Sequence, residues 1–458
     1  MKSAEFALLL GLLFLLPGAR AQEEPEKKAD RLERLVLKLG GDSPEERDGA
    51  MEEIRKFGPG ALPRLRQALQ DSQDVEVRGR VETLLTELGL SDPAVVFAGR
   101  LGARRERLRS GGGDSATEAG VLSALGWLAR HQDAAGGWSA DGFGARCTGD
   151  RCPGIGERDY DPGLTGLALL AFLGAGYTPL SKDEHPDPAK GGPPLKFGEI
   201  VDRGLKRLIA LQDREGCVGE RGMKYLYGHA VAALALSEAW GMTRAKELGT
   251  PARKATEFIL AAQNPGQGWR YSARCGDNDS SATGWAVMAL EAAKLSGAGV
   301  PQAAFDGALA WFVTVTETNG YYRAGYNARG TGKVFVPGKN EDFDDHPSMS
   351  AIAVTARLFI ERQRSAPELG AVNLVVSDLP EWKEHRIDFY SWYWGSQALF
   401  QYDGPEGRMW KRWNESLKTA LLPQQKTGKD GCRAGSWDSS GERWGTEGGR
   451  VYATALNA

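Results

Sequence analysis

The chain of 458 residues lacks an excess of either charge: Lys and Arg total 57 against 60 for Asp and Glu. A surface built for nucleic acid or for an anionic membrane carries surplus cations, so neither is expected as the main partner. Long apolar runs are scarce too. Ala7 to Leu16 is too short to span a bilayer comfortably, and no later stretch approaches the roughly 20 residues that a membrane helix needs. Histidine and cysteine number five each, which leaves few metal ligands and, in an oxidising compartment, at least one unpaired thiol. Glycine is the exception. Its 60 residues are about twice average usage, follow no collagen-like period, and fall in the stretches between apolar segments.

Lys2, the apolar run, the Pro17-Gly18 break and the small-x-small site Ala19-Arg20-Ala21 read as a signal peptide over 1–21, cut before Gln22. The mature protein is then expected to be exported, periplasmic or extracellular, with no transmembrane helix. Cys147 and Cys152 share one Gly-rich loop and are the candidate disulfide of such a compartment. Cys217, Cys275 and Cys432 fall in the loops of three separate units, which would make them neighbours on one rim.

Residues 22–29 form a charged leader. Over 30–92 the pattern is helical: Ser43-Pro44-Glu45-Glu46 is a capping box with proline at the first helical position, and Ala50, Ile54 and Phe57 follow on one face. Gly58-Pro59-Gly60 ends that helix. Leu62, Leu65, Ala68 and Leu69 mark a second, and Val81, Leu84, Leu85 and Leu88 a third. The Asp near the turn and the Val77-Arg78 pair opening the next helix resemble HEAT repeats. Two such repeats at most are present where about three are needed to stand alone, so this segment is expected to dock on the larger domain or on a protein partner. Residues 93–118 read as a linker, with Arg100, Arg104, Arg105, Arg107 and Arg109 as a solvated basic run ending in Gly111-Gly112-Gly113.

From 119 to 458 the chain repeats itself. Gln132-Asp133-Ala134-Ala135-Gly136-Gly137-Trp138 returns as Gln263 through Gly268-Trp269, each followed by an Asp-x-x-x-Thr-Gly element that opens an apolar stretch. Asp161 to Gly166 and Asp279 to Gly284 match position for position. Weaker matches place the same frame at Tyr225–His229, His346–Ser350, Asp388–Trp392 and Arg450–Thr454, which makes six units. Amphipathic helices ending near the glutamine alternate with helices that are apolar almost all round. A helix apolar on every side is buried on every side. The fold class expected is all-α, a barrel of inner and outer helices.

Trp127-Leu128-x-x-x-Gln132 with Gly136-Gly137-Trp138, and Ile259-x-x-x-Gln263 with Gly268-Trp269, resemble the repeats of the squalene–hopene cyclase and protein prenyltransferase β-subunit superfamily. Gln212 keeps the glutamine but is followed by Val218 in place of the tryptophan. The resemblance implies an α/α toroid of six helical hairpins, in which Gln132, Trp138, Gln212, Gln263 and Trp269 are structural. It also implies roles for acids. Asp277-Asn278-Asp279-Ser280 is similar to the cyclases' Asp-x-Asp-Asp motif, with Asp279 matching the proton donor, Asp277 the first aspartate, and Ser280 replacing the last. As a bare residue type at a helix start, Asp279 is equally an N-cap. A prenyltransferase zinc needs Asp-x-Cys and a distant histidine; this chain has the reversed order Cys275-Gly276-Asp277, with His131, His185, His229, His346 and His385 as the histidines. Neither a metal nor an organic cofactor is expected. Gly216-Cys217-Val218-Gly219-Glu220 lacks the glutamine of an internal thioester.

In a closed ring the first position of each frame falls at one mouth of the central cavity: Asp161, Tyr225, Asp279, His346, Asp388 and Arg450. That set suits a polar ligand, paired carboxylates acting on a glycan, or plain helix capping. Phe389, Tyr390, Trp392, Tyr393 and Trp394 add an aromatic wall that suits an isoprenoid or a sugar ring. Glu341, Asp342, Asp344 and Asp345 read as a solvated loop. The frame calls for more apolar residues after Ala455-Leu456, so the last helix is expected to be cut short. Two functions stay open. One is a scaffold that binds a ligand in its cavity or a partner through the HEAT-like segment; the other is an enzyme, of the terpene-cyclase type on Asp279 or glycan-active on rim carboxylates.

Overall fold

The computed structural model describes residues 25–41, 43–57, 61–72, 111–187, 194–332, 347–361 and 364–458, with 74, 77, 80, 81, 83 and 84. The expected signal peptide, the arginine run, His346 and the acidic cluster from Glu341 to Asp345 lie outside them. Among the described residues the protein is all-α, and its one strand pair is Glu184–His185 against Leu195–Lys196. The chain divides into two units, 1–92 and 93–458.

The first unit contains α1 (Pro25–Lys38), α2 (Pro44–Phe57) and α3 (Leu62–Asp71). Helix α1 starts within the stretch read as a charged leader. Helix α2 starts where the capping signal puts it, with the Glu46 N–H donating to Ser43 Oγ at 3.1 Å. Leu32, Val36 and Leu39 pack with Ala50, Ile54, Leu65, Val81 and Leu84 in a small core of its own.

Among the described residues the second unit holds six helix pairs: α4 (Ser115–Arg130) with α5 (Asp161–Gly174), α6 (Phe197–Ala210) with α7 (Tyr225–Thr243), α8 (Lys246–Ala262) with α9 (Ser280–Leu295), α10 (Gln302–Val315) with α11 (Ser348–Glu361), α12 (Ala366–Ser377) with α13 (Phe389–Asp403), and α14 (Arg408–Leu421) with α15 (Gly445–Leu456). The first helix of a pair is typically amphipathic: in α6, Phe197, Ile200, Val201, Leu205 and Leu208 are buried while Glu199 and Lys206 are exposed. The second is covered all round, as in α9 from Ser280 to Val287. These second helices pack in series, α5 on α7, α7 on α9, α9 on α11, α11 on α13, α13 on α15, and α15 on α5.

The repeated Thr-Gly element has a steric reason. A Cβ at Gly166 would meet the Val231 carbonyl at 3.0 Å, and one at Gly284 would meet Ile352 Cγ2 at 2.3 Å, so glycine is what lets neighbouring second helices approach there. The threonine before it accepts a loop N–H: Thr165 Oγ1 from Trp138 at 3.1 Å and Thr283 Oγ1 from Trp269 at 3.0 Å. The weaker frames use different chemistry for the same bond. His229 Nδ1 accepts from the Val218 N–H at 3.0 Å and Ser350 Oγ from Ala324 at 3.1 Å. Burial lowers the His229 pKa to about 4, which keeps the ring neutral, and its Nε2–H donates to the Ala255 carbonyl at 3.1 Å.

Each repeated glutamine bonds two carbonyls with one amide. Gln132 Nε2 donates to Gly136 in its own loop at 2.9 Å and to Ile200 on α6 at 2.8 Å. Gln212 does the same to Gly216 and to Pro251 on α8, and Gln263 to Gln267 and to Ala304 on α10. The paired tryptophans return their indole N–H to the preceding helix, Trp138 to Leu128 and Trp269 to Ile259, both at 2.8 Å. A further copy was not visible in the sequence: Gln425 Nε2 donates to Gly435 at 2.9 Å and to Gly120 on α4 at 2.8 Å, and Trp437 Nε1 to Leu421 at 2.9 Å. Six additional residues between Gln425 and Trp437, relative to Gln132 and Trp138, hid the phrase. Helix α15 also starts at Gly445, five residues before the frame position Arg450, and bends at Gly449, whose φ is 67°.

Gln425→Ala would leave the Gly120 and Gly435 carbonyls without these donors. It is expected to cost about 1–3 kcal/mol, read as a lower urea midpoint with an unchanged slope. A midpoint equal to that of the parent would contradict this role.

Candidate functional site

A cavity of about 150 Å³ lies among the second helices. Leu164, Leu167, Val231, Met349 and Leu456 give it apolar walls, Trp285 and Trp444 add indoles, and Tyr160, Tyr227, Tyr271, Tyr326, Tyr390 and Tyr452 add six phenols. Lys224 and Glu447 are the charged residues of its lining.

The hydroxyls largely bond one another. Trp285 Nε1 donates to Tyr227 at 2.9 Å, Tyr227 to Tyr390 at 3.0 Å, and Ser281 Oγ lies 2.5 Å from the Tyr390 hydroxyl. Lys224 Nζ donates to the Tyr160 hydroxyl at 2.6 Å, and the Tyr271 and Tyr326 hydroxyls are in contact. Burial pushes Tyr227 up to about 12 and Tyr326 and Tyr390 well above the usual phenol range, so these phenols stay neutral at ordinary pH. A wall that is mostly aromatic face and bonded phenol, with one lysine and one glutamate in it, favours a largely apolar occupant.

Asp279 is wholly buried and caps α9, its Oδ1 accepting from the Ala282 N–H at 2.6 Å. Burial raises its pKa to about 7, against the opposing pull of the Ala282 N–H, of Arg270, whose Nε is 3.8 Å from Oδ2, and of the Tyr326 hydroxyl. Asp279 does not line the cavity; Tyr271 and Tyr326 do. Asp277, 3.6 Å from Arg270 Nη1, is largely exposed, and Ser280 Oγ donates to the Gly325 carbonyl at 2.6 Å. The acid motif therefore supplies one buried carboxyl and one surface carboxylate, with the hydroxyl that replaces the third tied to backbone.

The other rim residues hold loops. Asp161 accepts from the Ala140 N–H at 2.7 Å and the Tyr225 hydroxyl from Ala273 at 2.9 Å. Asp388 caps α13 through the Ser391 N–H at 2.8 Å and lies 3.6 Å from Arg443. Arg450, 1% exposed, donates to the Pro153 carbonyl at 2.7 Å and to Ser436 Oγ at 2.8 Å, and pairs with Asp438. None of these four lines the cavity.

The expected disulfide is replaced by a different arrangement. All five cysteines are free thiols. Cys147 and Cys152 face His131, and Cys432 joins them from the loop after α14; these are the metal-ligand types that the sequence pattern did not bring together. Cys217, buried, and Cys275, exposed, lie outside this group, so Cys432 groups with the first loop rather than with them. The pairing was illegible because 301 residues separate Cys432 from His131.

Set against known proteins, the chain matches no family model and no curated sequence. Among the described residues no helix is long and apolar enough to cross a membrane.

The raised pKa of Asp279 has a defined effect on stability. Between about 3.8, its unfolded value, and about 7 the native state holds the extra proton, so this group's contribution falls as pH rises through that window and is flat above it. Asp279→Asn keeps an acceptor for the Ala282 N–H and removes the buried charge. Its stability relative to the parent should improve from pH 4 to pH 8 by on the order of 3–4 kcal/mol, measured by denaturant unfolding at both pH values. A pH-independent difference would contradict the buried, raised carboxyl.

Proposed function

We propose that the second unit is an α/α toroid of six helical hairpins, similar to the squalene-cyclase and prenyltransferase repeats, and that it is an exported binding protein whose central cavity takes a small apolar ligand built around one ring. The series packing of the second helices from α5 to α15 and back to α5, with the Gln425 bond to Gly120, supports the ring. The N-terminal segment 1–21 supports export. The single observation that carries the binding function is the wall of the cavity: apolar side chains, aromatic faces, and phenols of which Tyr227 bonds Tyr390 and Tyr271 bonds Tyr326.

Size narrows the ligand. A cavity of about 150 Å³ is the size that holds benzene, so it takes one ring of a ligand, that of a simple aromatic or of a monocyclic terpenoid. A glycan would need carboxylates facing it, whereas Asp161, Asp279 and Asp388 each cap or bond backbone and do not line the cavity. The first unit, with its small core, is the arm that would engage a protein partner.

One observation favours a second reading, an acid-catalysed enzyme of the cyclase type. Asp279 has a pKa of about 7, and the Tyr326 hydroxyl beside it belongs to a residue of the cavity lining, a geometry suited to passing a proton toward a bound alkene.

Titration with a monocyclic monoterpene and with phenol, followed by the fluorescence of Trp285 and Trp444, tests the proposal. Saturable binding is expected, and Leu167→Trp, which fills the cavity, should raise Kd by about tenfold or more, equivalent to about 1.4 kcal/mol. Affinity unchanged by Leu167→Trp would overturn it. Mass spectrometry of the same mixtures decides the second reading, since conversion of the ligand that Asp279→Asn abolishes belongs to an enzyme.

A further inference from the structure

We propose that His131, Cys147, Cys152 and Cys432 bind one zinc ion in a closed, structural Cys3His site that fastens the last helix pair of the second unit to the first. The four ligand atoms lie within 4.8 Å of one another. His131 Nε2 is 3.6 Å from Cys147 Sγ, 3.7 Å from Cys152 Sγ and 3.4 Å from Cys432 Sγ. A tetrahedral zinc with bonds of about 2.3 Å to sulfur and about 2.0 Å to nitrogen has nitrogen–sulfur edges of about 3.5 Å, which these three distances bracket.

Hydrogen bonding alone does not explain the cluster. His131 Nδ1 is 2.8 Å from the Trp127 carbonyl, an acceptor, so its proton sits on Nδ1 and Nε2 offers one lone pair. Three thiols converge on that lone pair, and only one S–H can be donated to it. A divalent cation satisfies all four groups together: it takes the lone pair of Nε2 and one from each sulfur, and the three thiol protons leave to solvent. A single disulfide among the three cysteines would leave one thiol over.

The surroundings have the features of a metal's outer shell. The Nδ1–H bond to Trp127 fixes the tautomer, and the Trp127 and His131 rings stack with centroids 4.1 Å apart, which fixes the orientation. The Cys152 N–H donates to Cys147 Sγ at 3.2 Å. Zinc with three thiolates carries a net charge of minus one. Arg130, next in sequence to His131, stands beside it, donating to the Ala434 carbonyl at 2.7 Å and lying 3.4 Å from Asp187. His131 and Cys152 are buried and the other two ligands partly so. Four protein ligands leave no open coordination position, the pattern of a structural site.

The site also accounts for the irregular last repeat. The additional residues between Gln425 and Trp437 are the ones that carry Cys432. The Gln425 bond to Gly120, the Arg450 bond to Pro153 and the Arg130 bond to Ala434 cross the same junction, and the metal would add coordinate bonds to these hydrogen bonds. None of this depends on what the cavity binds.

Cobalt substitution of the full chain, purified under reducing conditions and stripped of bound metal with a chelator, tests the site without a variant. Titration with Co(II) should saturate at one equivalent, with thiolate-to-cobalt charge-transfer absorption in the near ultraviolet and intense tetrahedral d–d bands in the red; Zn(II) should displace the cobalt and erase both. Cys275→Ser should leave the spectrum unchanged, and Cys432→Ser should weaken cobalt binding by about tenfold or more. Failure of the reduced parent chain to develop these bands would overturn the proposal. So would a Cys147–Cys152 disulfide mapped by mass spectrometry in the exported protein, or bands that persist at full intensity in Cys432→Ser.

Discussion

A carboxamide that donates both of its N–H bonds to backbone is the interaction on which the second unit depends. One bond closes the loop that carries the glutamine, and the other reaches a carbonyl on the first helix of the neighbouring pair, so loop shape and helix position are set by the same side chain. The carbonyls involved include helix positions such as Ile200, Pro251, Ala304 and Gly120, where a missing partner is costly once water is excluded. Tryptophan adds bulk and one more bond to the preceding helix. The covered second helices can then be almost wholly apolar, because the polar work of the unit is done at their ends.

This division of labour explains why the helix starts look chemically rich while being structurally occupied. Asp279 and Asp388 cap helices, Asp161 and Tyr225 accept loop N–H groups, and Arg450 ties two loops together. The cavity lies at the starts of the second helices, and Tyr, Trp and Leu dominate its lining. Because the capping carboxylates are committed to backbone, the side chains left to face a guest there are chiefly aromatic and apolar.

Much of the all-α character was legible in the sequence, since two copies of a phrase that keeps its glutamine, last glycine and tryptophan, each with the Asp-x-x-x-Thr-Gly frame, encode bonds that the structure makes. Weaker copies were legible because the same bond tolerates other acceptors: His229 and Ser350 stand where threonine stands elsewhere. Gln425 and Trp437 were missed because the loop between them is longer, which breaks the spacing while preserving both hydrogen bonds. The Cys-His cluster was illegible for a different reason. Its members are 5 to 301 residues apart, and only the return of the last helix pair to the first brings Cys432 to His131. Spacing within one loop favoured a Cys147–Cys152 pairing, because a distant third thiol and an imidazole leave no local trace.

The end of the second unit is fastened to its beginning by the Gln425 bond to Gly120 and the Arg450 bond to Pro153. In an open array the terminal helices fray first, whereas in a closed ring no pair is terminal. Native-state hydrogen exchange of the full chain measures this directly by comparing amides in α4 and α15 with those in the mid-chain helix α9. Opening free energies for all three helices are expected within about 1 kcal/mol of the global unfolding value. Exchange in α4 or α15 through a separate, lower-energy opening while α9 stays protected would contradict it.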